Sequence, residues 1–166
     1  SDLISYLKDG YTQIGLIKLE PDSVAIVGPK AELDRIDNIY TIRDTLIQLS
    51  SITKGELKLI LPSKLINCSN NEVSYLLDIQ QISERIIVDI PVKVLNKVKG
   101  IRVFPSPQTV SLTVIGGAIQ ISKIKSNDIL VNVDFNSWSI NQNFYEPQVS
   151  FPFDILDWRD LSPRTI

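Results

Sequence analysis

The chain offers little material for acid–base or metal chemistry. It contains no histidine. That removes the usual general base, the commonest metal ligand and the usual partner of a Ser or Cys nucleophile. The single cysteine, Cys68, lies in the polar stretch Asn67-Cys68-Ser69-Asn70-Asn71. A catalytic thiol needs a base to hold it as thiolate, so Cys68 reads as a cysteine in a polar turn. One cysteine also excludes an internal disulfide and a cysteine-based zinc site. Asn67-Cys68-Ser69 fits the N-glycosylation pattern, which matters only in a eukaryotic secretory pathway.

Other reactive-looking groups have plainer readings. Glu32, Asp34, Asp37 and Asp44 could offer oxygen ligands to a hard cation. They lack EF-hand spacing, and Arg35 and Arg43 among them suit a solvated face with ion pairs. Ser63-Lys64 and Ser122-Lys123 are adjacent pairs; in a strand, adjacent side chains point to opposite faces, so neither makes a serine–lysine dyad there. Gly116-Gly117 has no phosphate-loop context and reads as a turn or bulge. The expectation is a chain that is not an enzyme, with no cofactor and no metal.

The surface candidates are of another kind. Lys93, Lys97, Lys99 and Arg102 form the one basic concentration, and on an extended strand Lys93 and Lys97 share a face. Such charges serve either as a solvated edge that resists strand-to-strand aggregation or as a contact for an acidic partner or lipid headgroups; the former is the commoner use. Trp138, Phe144, Tyr145, Phe151, Phe153 and Trp158 crowd the second half, where most suit core packing. Trp138 and Tyr145, however, flank the loop Ser139–Glu146, where an exposed aromatic anchors an interface. Trp138, Tyr145, Lys93 and Lys97 are therefore the candidate interface residues.

These residues sit in a chain of ordinary globular composition. Its 166 residues are 43% hydrophobic and 22% charged, with a net charge of −2, enough for one medium domain or two small ones. The first 82 residues carry 8 basic and 11 acidic side chains, the remainder 9 and 8. That overall balance gives no electrostatic reason to approach nucleic acid or anionic lipid. No apolar run approaches the length of a membrane span, and no signal-peptide pattern is present. The chain has no methionine, so the expectation is a piece of a longer protein.

Val, Ile and Thr recur in short runs bounded by Pro, Gly, Asn, Asp and Ser, which predicts a β-rich, all-β fold. Strands are expected near 14–19, 24–27, 46–49, 57–61, 73–79, 86–95, 110–115, 129–133, 148–153 and Ile166. Pro91 implies an edge or a bulge within its run. One short helix is expected over Pro29–Ile36, with proline in its first turn and Glu32 and Asp34 near its positive end.

This pattern comes twice. Pro21-x-x-Val24-x-Ile26 returns 86 residues later as Pro107-x-x-Val110-x-Leu112. Gly28, Leu33 and Ile36 are answered by Gly116, Ile121 and Ile124 at the same spacing. Residues 46–51 answer 130–137, 56–62 answer 148–154, and Gly10 and Gly100 precede each copy. A period this long is not that of a solenoid. Two tandem β domains are expected, 1–82 and 83–166. The first strand of the first copy, at 4–7, and the last strand of the second, at 163–166, are expected to be truncated.

The order of a glycine, a Pro-x-x-Val strand, Gly-Pro, a Leu-x-x-Ile helix and a further strand resembles the YbbR domain. The second copy departs from it by two extra residues before Gly116 and by Gly117 in place of proline. The resemblance spans nearly the whole chain. It implies two YbbR-like β modules on the extracytoplasmic side of a bacterial membrane, anchored by an N-terminal membrane helix outside these residues. It implies a regulator that contacts a membrane protein, with diadenylate cyclase, the maker of cyclic di-AMP, as the expected partner. No catalytic residues carry over. A structural role in the cell envelope is the alternative. A nucleic-acid-binding β domain is a third reading, which the charge balance opposes.

Overall fold

The computed structural model describes residues 3–166. They form two compact units, the first ending at Gln81 and the second running Ile82–Ile166. Both are all-β with one short α-helix each.

In the first unit, β1 (Leu3–Leu7), β2 (Tyr11–Gln13), β3 (Lys18–Glu20) and β4 (Ile26–Val27) lead to α1 (Lys30–Leu33). Then come β5 (Tyr40–Thr41), β6 (Asp44–Leu49), β7 (Thr53–Ile60), β8 (Asn67–Cys68) and β9 (Glu72–Leu77). β1 pairs with β6 in parallel, a geometry that requires the long connection between them. An antiparallel sheet runs β3-β9-β7-β5, and β4 pairs with β8. The strands alternate inward apolar with outward polar residues, as a sheet with one covered face must. Their inward set, Leu57, Val73, Tyr75, Leu77 and Ile79, makes the core, and Leu3, Leu7, Leu46 and Leu49 pack against it.

The strand β10 (Ile79–Leu95) gives its first three residues to β2 of the first unit. From Ile82 onward it belongs to the second unit, with β11 (Thr109–Gly117), α2 (Ala118–Ser122), β12 (Leu130–Asp134), β13 (Gln148–Ser150) and β14 (Asp157–Ser162). The sheet order is β13-β12-β10-β11-β14, with β10 and β12 parallel. β11, covered on both edges, supplies Val110, Leu112 and Val114 to a core completed by Ile87, Ile90, Ile121, Ile129 and Val131. The guanidinium of Arg85 sits 2.9–3.0 Å from the carbonyl oxygens of Ile121, Ser122 and Ile124, satisfying acceptors that the end of a helix leaves free.

The two short helices are built alike. Each begins after an extended N-cap, Pro29 (φ −61°, ψ 138°) or Gly117 (φ −63°, ψ 133°). One residue earlier stands a glycine whose absent Cβ makes room. A Cβ on Gly28 would lie 3.0 Å from the Leu65 carbonyl oxygen, and one on Gly116 would lie 2.8 Å from Cγ2 of Ile121. The ladders correspond as well. Ile26 opposes Cys68 and Val27 opposes Asn67, as Val114 opposes Trp158 and Ile115 opposes Asp157.

Several expectations change in detail. The expected helix Pro29–Ile36 stops at Leu33, and the chain turns on to Ile36 through i, i+3 hydrogen bonds. Cys68 lies in a strand, half-buried, instead of in a turn. The expected strand 14–19 is reduced to Lys18–Glu20, because Gly15 adopts φ +68°. At Ile166 there is no strand, only a reciprocal pair of backbone hydrogen bonds with Tyr145 at 2.9 Å. The bulge sought near Pro91 falls at Asp89.

That bulge is one of three. In β6, β10 and β14 the ladder gains one residue on the bulged strand, and Gln48, Asp89 and Asp160 there take φ of 56–57°. An extra left-handed residue turns the inward spacing from two to three. Leu46 and Leu49, Ile87 and Ile90, and Trp158 and Leu161 all face inward for this reason.

Candidate functional site

In the second unit, β10 and β12 run parallel and end side by side, with Leu95 opposite Asp134. The segments that follow them, 96–108 and 135–147, therefore leave at the same end of the sheet. They are tied at their base. Asn96 donates its side-chain amide to Oδ1 of Asp134 at 2.8 Å, and the Asn136 N–H donates to the same oxygen at 2.9 Å. These two hydrogen bonds, the Asn96 one foremost, hold the Asp134 carboxyl below its ordinary pKa, because both favour the charged form. Between the segments lies a groove of about 260 Å³ lined by Val94, Phe104, Val133, Phe135, Trp138 and Tyr145 among others.

The candidate interface residues separate here. Trp138 stands 55% exposed and stacks on Phe135, ring centroids 5.9 Å apart and planes 9° from parallel. Tyr145 is half-buried, and its hydroxyl works inside the loop. It accepts from the Ser139 N–H at 2.8 Å and faces the carbonyl oxygens of Gln142 and Ser139 at 3.1 and 3.2 Å. Lys93 is exposed on β10, but that strand ends at Leu95 and Asn96 turns the chain with φ +55°. Lys97 consequently lies beyond the strand, and strand periodicity no longer puts it on one face with Lys93.

Sequence reading passed over the aliphatic and aromatic company of Trp138. Phe104 is 73%, Ile140 81% and Phe144 68% exposed, and Val98 and Ile101 are exposed beside them. The signal was present: bulky apolar residues inside two long segments rich in Asn, Ser, Gly and Pro, where no alternation could bury them.

The first unit presents an open trough of about 1180 Å³ over its sheet, lined by Lys18, Glu20, Lys54, Glu56 and Tyr75 among others. Its charges are balanced in sign. Among the described residues no group of three or more His, Cys, Asp or Glu side chains could hold a metal ion, and no helix is long and apolar enough to cross a membrane.

Short curled sheets, one brief glycine-preceded helix per unit and mixed parallel and antiparallel pairing define a small β module. Residues 2–74 match the family model described as YbbR-like protein. The matched stretch covers most of the first unit. Neither a curated protein nor a solved structure matches the chain.

Proposed function

We propose that this chain is a non-catalytic interaction module of a membrane-anchored, extracytoplasmic bacterial protein, and that it regulates a membrane-bound diadenylate cyclase by contact. The observation that carries this reading is the YbbR-like match over residues 2–74. The composition is consistent with it, since a chain without histidine lacks the side chain most acid–base sites use. The second unit, with its matching helix start, glycine and ladder register, is on this reading another copy of the same module.

The test is reconstitution in membranes. Full-length protein and the candidate cyclase are placed together, and cyclic di-AMP is measured with and without the β modules. A change in product level together with a cross-linked complex is the expected result. Equal product in both cases and no complex would refute regulation and leave an envelope-scaffold role as the better account.

A further inference from the structure

We infer that the loop end of the second unit, residues 96–108 and 135–147, docks on an anionic lipid bilayer surface. This stands apart from the regulatory reading and needs no protein partner. It also differs from anchoring by a membrane helix, because the contact is made by the folded module.

Two observations meet at this end. The first is apolar exposure. Phe104, Trp138, Ile140 and Phe144, with Val98 and Ile101, project from two adjoining segments. Isolated exposed apolar residues need no explanation, but a cluster of six at one end of a small unit does. The second is charge. Segment 96–108 carries Lys97, Lys99 and Arg102 and no acidic residue, and segment 135–147 carries Glu146 as its one ionisable acid. Asp134, at the base, adds one negative charge, held in its ionised form by Asn96 and the Asn136 N–H, so the three cations still exceed the two anions. The chain as a whole is acidic, so this end is basic against its background.

Bulky aromatic and aliphatic tips ringed by lysine and arginine are what the headgroup region of a bilayer selects. Trp sits at the membrane–water interface with its ring in the apolar boundary, and cations meet anionic headgroups. At this end Ile140, Phe104 and Phe144 are the most exposed apolar residues. A protein ligand held by a groove would need its anchors in a desolvated pocket. The charge complement selects anionic over zwitterionic lipid.

The experiment uses the 166-residue chain and unilamellar vesicles of phosphatidylcholine, with and without about one-third phosphatidylglycerol. Co-flotation should recover the chain with the anionic vesicles and recover little with phosphatidylcholine alone. Trp158→Phe leaves Trp138 as the sole tryptophan, and its emission should shift to the blue on adding anionic vesicles. Lys97→Glu with Lys99→Glu, and separately Trp138→Ser with Phe144→Ser, should each weaken recovery by about tenfold or more. Ile47→Ser, an exposed apolar residue on the first unit, should change nothing. Circular dichroism checks that each variant is folded, and flotation of the unaltered chain does not depend on any of them. Equal recovery with both vesicle types, or loop variants that float like the parent, would overturn the inference. So would absence from anionic vesicles, which would leave the patch to a protein partner.

Discussion

Gly55 in β7 stands directly opposite Tyr75 of β9, on the core-facing side of the sheet. A Cβ built on Gly55 would lie 2.5 Å from Oη, 2.6 Å from Cζ and 2.7 Å from Cε1 of the Tyr75 ring. The ring therefore occupies the space a side chain would fill. Tyr75 packs with Leu57, Val73, Leu77 and Ile79, so moving the ring disturbs those contacts. Gly55→Ala forces that ring into its neighbours, and overpacking of this kind costs about 1–3 kcal/mol. Against this, alanine is better than glycine within a strand by roughly 0.5–1 kcal/mol. The net expectation is a loss of about 1–2 kcal/mol. The decisive measurement is a double-mutant cycle by urea denaturation. In a Tyr75→Leu background the obstruction is gone, so Gly55→Ala should become neutral or stabilising by about 0.5 kcal/mol. If alanine destabilises equally in both backgrounds, the ring does not explain the glycine.

Two further expectations rest on single polar groups. Thr41 is buried, and its hydroxyl has no hydrogen-bond partner among the described residues. Thr41→Val should stabilise the first unit by about 1 kcal/mol in chemical denaturation. Asp134 has its pKa lowered first by Asn96 and then by the Asn136 N–H. A depressed carboxylate contributes stability above its unfolded pKa, about 3.9, and loses it as pH falls through the folded value. The tie between the two segments should thus be intact at neutral pH and fail only below about pH 4. Asn96→Ala should raise the Asp134 pKa toward the ordinary range, read by carboxyl-carbon NMR titration.

Much of the architecture was written in residue types. Val and Ile runs ended by Gly, Pro and Asn marked β7, β9, β11 and β12, and Pro29 marked the start of α1; Gly116-Gly117, which read as a turn or bulge, closes β11 and leads into α2. What escaped had a physical reason. β14 reads Asp-Trp-Arg-Asp-Leu-Ser, and the left-handed Asp160 breaks its alternation, so a period-two search finds no strand. The clue was a shared form, Leu-Ile-Gln-Leu, Ile-Val-Asp-Ile and Trp-Arg-Asp-Leu, with a residue tolerant of positive φ just before the second inward apolar. β1 and β2 are short and gain their order from distant partners, β6 and β10. Of the candidate surface, Trp138 was legible as exposed because it flanks a polar loop. Tyr145 was not legible as a loop pin, because its hydrogen bonds depend on how that loop folds back.

The bulge at Asp160 also bears on how the second unit avoids aggregation. An open strand edge templates pairing with another chain. β14 is the outer strand of its sheet. Its left-handed Asp160 kinks the edge, and Asp157, Arg159 and Asp160 line it with charge. A foreign strand laid along it would lose register within three residues and bring its own side chains against those charges. The kink thus guards this edge against pairing with a strand of another molecule.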